Sequence, residues 1–152
     1  MKRSSSTPFA VSLGATPVRP KVLVVEDNDF IMQIYKAILQ KAGCRLIEAR
    51  TTTEAQIVLK HERPDLIIMD QKLPDGSGID ATRLIRDHAD LKHTPVIVVT
   101  DGSAASDEQA RAVGCSACIS KPIRVSAFGQ LVRHHLDARP KSGSPADVCQ
   151  VW

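Results

Sequence analysis

Runs of consecutive apolar residues alternate along this chain with segments whose apolar residues recur every third or fourth position. The clearest runs are Val22-Leu23-Val24-Val25, Leu66-Ile67-Ile68-Met69 and, behind Pro95, Val96-Ile97-Val98-Val99. A short, unbroken apolar stretch bounded by turn residues reads as a strand covered on both faces. Cys44–Ala49, mixed in polarity, reads as a shorter strand at a sheet edge, and Ala117–Ser120 as a brief fifth strand. The intervening segments carry helix signals. Asn28 is a suitable N-cap for a helix with Ile31, Ile34, Ile38 and Leu39 at helical spacing, closed by Gly43. Thr51-x-x-Glu54 is a capping box for a second helix reaching about Glu62, and Ser77 can cap a third carrying Ile79, Leu84 and Ile85. Ser106-x-x-Gln109 is another capping box, for a fourth helix stopping at Gly114, and a fifth runs from Val125 to Leu136.

Strand followed by helix, five times over, predicts an α/β fold: a doubly wound five-stranded parallel sheet with helices on both faces. The pattern confines this body to residues 21–137. Residues 1–20, rich in Ser, Thr and Pro, and residues 138–152, rich in Pro, Gly and Ser, read as flexible tails.

At 152 residues the chain suits one domain with a real core, and aromatics at 3% make that core aliphatic. The net charge of +3 hides an asymmetry. Residues 22–122 carry twelve Lys/Arg against fifteen Asp/Glu, while the flanks are basic. A mildly acidic body argues against a nucleic-acid surface, and no apolar run approaches the ~18 residues of a membrane span. The opening Met1-Lys2-Arg3 with Phe9–Ala15 is interrupted by Pro8, Ser12 and Gly14, and reads as a tail rather than a signal peptide. Four cysteines then fit reduced thiols in the cytoplasm. Cys115-Ser-Ala-Cys118 is a C-x-x-C without the second half of a zinc site, placed where a strand begins rather than at a helix N-terminus. Buried apolar cysteine is the favoured reading, with a redox motif behind it.

The chemistry gathers at strand ends. Glu26 and Asp27 follow the first strand, Asp70 the third, Thr100 the fourth and Lys121 the fifth. A strand order of 2-1-3-4-5 brings all of them around the crevice beside strands one and three, where open α/β sheets bind ligands. Clustered carboxylates without His or Cys suit Mg²⁺. With an ammonium from Lys121 and a hydroxyl from Thr100, the set matches what a phosphoryl group on a carboxylate needs. Asp70 is the natural nucleophile. A lone Asp at a strand end is more often a turn former, so the reading rests on the set.

These residues resemble the receiver domain of two-component response regulators across roughly 21–136. The matching pieces are Val24-Val25-Glu26-Asp27-Asn28, Met69-Asp70 with Leu73-Pro74-Asp75-Gly76-Ser77-Gly78, Val99-Thr100 and Ser120-Lys121-Pro122. The resemblance implies a flavodoxin-like fold. It implies Mg²⁺ held by Glu26 or Asp27, Asp70 and the backbone carbonyl of Lys72. It also implies phosphorylation of Asp70 by a histidine kinase or histidine phosphotransfer protein, with Thr100 and Lys121 gripping the phosphoryl group and Lys121–Pro122 typically cis.

The chain departs from the family at Cys118, three residues before the Lys, where receivers usually carry Tyr, Phe or His. A thiol cannot swing a ring, so switching is expected in Thr100 and the 101–106 loop. Asp101 reads as a turn cap, with added negative charge near the phosphoryl site as the alternative. With no output domain read after residue 136, the protein is expected to act by docking on a downstream protein or by passing the phosphoryl group on. The first helix (Asp29, Phe30, Gln33, Ile34) and the 105–136 region are the candidate surfaces, and Phe30 reads equally as core. Two other classes stand beside this one. An Asp-nucleophile phosphohydrolase of the haloacid dehalogenase type wants an acid two residues after the nucleophile, where this chain has Lys72. A phosphorylation-independent binding module is the other, though the pocket residues are all present. His134-His135 reads as solvated surface, because adjacent helical residues do not share a face. The pair Val151-Trp152 reads as a disordered end, with a docking tag as the alternative.

Overall fold

The computed structural model describes residues 19–138. In chain order the elements are β1 (Lys21–Val25), α1 (Asp29–Lys41), β2 (Arg45–Ala49), α2 (Thr52–His61), β3 (Leu66–Asp70), β4 (Lys72–Leu73), β5 (Gly76–Ser77), α3 (Gly78–Asp87), β6 (Val96–Thr100), α4 (Ala104–Ala112), β7 (Ala117–Ser120) and α5 (Val125–Ala138). Five strands form one parallel sheet in the order β2-β1-β3-β6-β7. That is the expected 2-1-3-4-5 arrangement once the small antiparallel β4–β5 pair is set aside. From sequence, residues 72–77 suggest only a Pro/Gly loop. Two residues a side leave no periodicity to detect.

Alternate residues of each strand feed two cores. Leu23, Val25, Ile67, Met69, Val96 and Val98 pack with Ala55, Leu59, Ile79, Ile85 and Ala110, so α2, α3 and α4 cover one face. Val22, Val24, Leu66, Ile68, Ile97 and Val99 pack with Met32, Tyr35, Leu39, Phe128 and Val132, so α1 and α5 cover the other. Every residue of β3 and β6 is buried, which is why those strands read as unbroken apolar runs. The core is not wholly aliphatic as composition suggested. Tyr35 and Phe128 lie between α1, α5 and the sheet with ring centroids 5.0 Å apart. Leu84, expected inside, is exposed, and so is Phe30 at 74%, which removes its core reading.

The caps hold α1, α2 and α3 where the sequence placed them: Asn28 accepts from Ile31 N–H, Thr51 from Glu54 N–H, and Ser77 from Ile79 and Asp80 N–H. The start of α4 differs. Its N-cap is Ser103, whose hydroxyl accepts from Ser106 N–H, so the helix begins before the expected Ser106 box. Ser106 is instead buried, its hydroxyl accepting a 2.8 Å bond from the Gln71 side-chain amide. His134 and His135 do meet, edge to face at 5.1 Å, on the exposed side of α5. The readings of both tails, of Cys149 and of Trp152 fall outside the described residues.

Candidate functional site

The parallel register decides what meets at the carboxyl edge of the sheet. Val25 lies opposite Met69 and Asp70 opposite Val99, so Glu26 and Asp27, one and two residues beyond β1, arrive beside the end of β3. Thr100 lies opposite Ser120, which sets Lys121 one step past the β6–β7 pairing. Glu26, Asp27 and Asp70 each place a carboxylate oxygen within 4.8 Å of the others. The Lys121 ammonium donates to Asp70 Oδ2 at 3.2 Å and stands 3.8 Å from Glu26 Oε1. The Lys121–Pro122 bond is cis, and the Lys121 backbone N–H is tied to the Thr100 carbonyl at 3.0 Å. The four charged residues expected at the site therefore converge.

Their burial is unequal. Glu26 is 1% exposed and Asp70 4%, while Asp27 faces solvent. Glu26 Oε2 accepts from Asn28 N–H at 3.1 Å, but Oε1 is buried without a hydrogen bond. A buried, unsatisfied carboxylate oxygen is costly. Burial above all, with the charge of neighbouring Asp70 adding to it, pushes the Glu26 carboxyl up to about 7. An orphaned oxygen among three carboxylates, with no His or Cys in the group, is a donor set that fits a hard divalent cation such as Mg²⁺. Glu26, Asp27 and Asp70 are the side chains that would hold it.

Thr100 is fully buried at the end of β6, but its hydroxyl is engaged elsewhere. It donates to Asp107 Oδ1 at 2.7 Å and accepts from Gly102 N–H at 3.1 Å. Asp101 accepts from Ser103 N–H at 2.9 Å, which holds its carboxyl below the ordinary range and makes it the turn former expected. Lys72 is exposed in β4, paired across the small hairpin with Ser77.

Two contributors, Gln71 and Asp107, were not singled out from sequence, and two more, Asp75 and Gly78, stood there only within the matching motif. Gln71 bridges the loops: its side-chain carbonyl accepts from Asp101 N–H while its amide donates to Ser106. Asp107, from α4, holds Thr100. Gly78 opens α3 against the end of β3, where an added Cβ would lie 1.9 Å from the Asp70 carbonyl oxygen. Asp75 accepts from the backbone N–H groups of Thr52 and Thr53, fastening the loop after β3 to the start of α2. Those donors lower its carboxyl well below the ordinary range. A Gly directly before a helical run signals close approach, but Gln71 and Asp75 in loops and Asp107 on α4 are ordinary polar residues whose partners only the fold supplies.

At the position of the usual aromatic, Cys118 is half-buried, with its sulfur 3.4 Å from that of Cys115. Both thiols pack partly buried against the core, so the expectation of buried apolar cysteine holds in part.

Residues 22–133 match the family model of the response regulator receiver domain. The polar-differentiation response regulator DivK of Brucella anthropi is 39% identical over 116 residues, covering 76% of this chain and 94% of that protein. The Brucella ovis DivK is 38% identical over the same span. Among solved structures, a signal receiver domain of a putative Luxo repressor protein from Vibrio parahaemolyticus is 31% identical with a TM-score of 0.73, covering 79% of this chain and 92% of that one. The chemotaxis response regulator CheY4 of Vibrio cholerae is 27% identical, also with a TM-score of 0.73, over 78% and 99%.

Proposed function

Because this chain belongs to the response regulator receiver family, we propose that it accepts a phosphoryl group on Asp70 from a phosphohistidine donor and signals by docking or by onward transfer. The observation that carries this reading is the Lys121 ammonium held 3.2 Å from Asp70, beside a buried Glu26 oxygen that has no hydrogen bond. An Asp70 carboxylate oxygen attacks phosphorus, the P–N bond to the donor imidazole breaks, and the imidazole leaves with its electron pair. Lys121 already faces Asp70 Oδ2 and can follow the charge to a phosphoryl oxygen. Glu26, Asp27, Asp70 and the Lys72 carbonyl would hold Mg²⁺, which would supply further positive charge to the phosphoryl group.

Thr100 must change partners to take part. Its hydroxyl is committed to Asp107, and turning it toward a phosphoryl oxygen breaks that bond and frees the start of α4. Phosphorylation is thereby coupled to the 101–107 segment without an aromatic switch. The donor, a cytoplasmic histidine kinase or histidine phosphotransfer protein, fits the exposed side of α1 next to Asp70, where Asp29, Phe30 and Gln33 face solvent. No helix among the described residues is long and apolar enough to cross a membrane.

Incubation with Mg²⁺ and acetyl phosphate tests the reading. The expected result is a mass gain of one phosphoryl group, lost in strong acid and in base as an acyl phosphate is, which Asp70→Asn abolishes. Rapid multiple turnover of assorted phosphate esters would point to a phosphohydrolase and overturn it.

A further inference from the structure

Cys115 sits in the turn after α4 and Cys118 within β7. A bend at Ser116 lets both side chains pack on the same apolar face of the sheet, with sulfurs 3.4 Å apart. A disulfide needs about 2.05 Å between sulfurs, so closure asks for roughly 1.4 Å of approach. The surrounding backbone is braced. Arg86 Nε donates to the Gly114 carbonyl at 2.7 Å, and Arg86 Nη1 donates to the Thr94 carbonyl at 2.6 Å. Both thiols are half-buried, within reach of a small oxidant. Cys118 also contacts α4 directly: its sulfhydryl lies 3.8 Å from the Asp107 carbonyl oxygen, and the Asp107 carboxylate is the partner of Thr100.

The geometry points to Cys115 and Cys118 as a reversible dithiol–disulfide site whose closure withdraws Cys118 from Asp107 and resets the Asp107–Thr100 pair. With hydrogen peroxide as oxidant, the Cys118 thiolate attacks one peroxide oxygen and the O–O bond breaks, releasing water once the leaving oxygen is protonated. The sulfenic acid so formed is attacked by the Cys115 sulfur, the S–S bond forms, and the S–O bond breaks. The departing hydroxide takes the Cys115 proton and leaves as a second water. Two thiols and one peroxide give one disulfide and two waters, the two electrons passing from sulfur to oxygen. A dithiol reductant reverses the change by exchange. Burial, with the neighbouring Cys118 sulfur, pushes the Cys115 thiol up to about 12, which leaves the first step to Cys118. The proposal rests on the receiver reading only for what the Thr100 shift means, not for the disulfide or the shift itself.

The test uses the full chain carrying Cys149→Ser, so that this thiol does not compete. After hydrogen peroxide treatment, alkylation and trypsin, the Ala112–Arg124 peptide holds both cysteines. The expected result is an unalkylated peptide lighter by two hydrogens, restored by dithiothreitol, with shifted amide resonances at Thr100 and Asp107. Cys115→Ser and Cys118→Ser each remove both changes. Two alkylated cysteines after peroxide, separate over-oxidation of either, or a disulfide that leaves the Thr100 and Asp107 resonances in place would overturn the proposal. Failure of reduced protein to accept a phosphoryl group from acetyl phosphate would count against the receiver reading alone, and both disulfide readouts would still decide this one.

Discussion

At the scale of single residues, Gly78 is where the site tolerates least. A methyl group there would drive into the Asp70 carbonyl oxygen, and backbone rather than a flexible side chain must yield. Gly78→Ala is expected to cost about 3 kcal/mol in urea unfolding, and an unchanged midpoint would show that α3 can back away from β3. Tyr35 presents the opposite case. Its hydroxyl is buried without a hydrogen-bond partner among the described residues, and burial raises its ionisation far above the ordinary phenol range. Tyr35→Phe should therefore leave stability equal or higher. Glu26 adds a pH dependence. Its carboxyl, pushed up to about 7 from an ordinary 4.5, binds a proton in the native state that the unfolded chain has released. Its contribution is full below about pH 4.5 and is lost as pH rises through about 7, so native stability falls across that window. Urea midpoints of Glu26→Gln and the parent, measured without Mg²⁺, should show a flatter decline in the variant over that range. Parallel curves would place the titration elsewhere.

Among the elements, α4 carries the switching argument. Removing its cap with Ser103→Ala should cost about 1 kcal/mol. Beryllofluoride with Mg²⁺ should shift the amides of Thr100 and residues 101–107 most, because the Thr100–Asp107 and Gly102–Thr100 bonds must rearrange. Large shifts centred on Cys118 and α5, with the 101–106 loop still, would contradict this. The same helix shows why sequence reading succeeds and fails. Caps that act within three residues, at Asn28, Thr51 and Ser77, were legible because donor and acceptor are neighbours in the chain. At Ser106 the local pattern was equally good, but tertiary contact won: Gln71, thirty-five residues away, claimed the hydroxyl and Ser103 took the cap. The carboxylate cluster was legible because parallel strands in register bring their ends together whatever the loops do. The commitment of Thr100 to Asp107 was not, since it depends on how α4 leans.

For the whole molecule, proton and metal should compete for one pocket. A divalent cation needs Glu26 ionised, so Mg²⁺ should raise the melting temperature by several degrees at about pH 8 and by less at about pH 5. Glu26→Gln should shrink the gain at both. The central claim is that distant strand ends assemble one chemically competent carboxylate, and labelling addresses it directly. After reaction with acetyl phosphate and Mg²⁺, borohydride reduces an acyl phosphate to an alcohol and marks its residue. The account predicts the mark on Asp70, in the tryptic peptide His61–Lys72. A mark on Asp27 or Glu26, or none on protein that is folded and binds Mg²⁺, would contradict it.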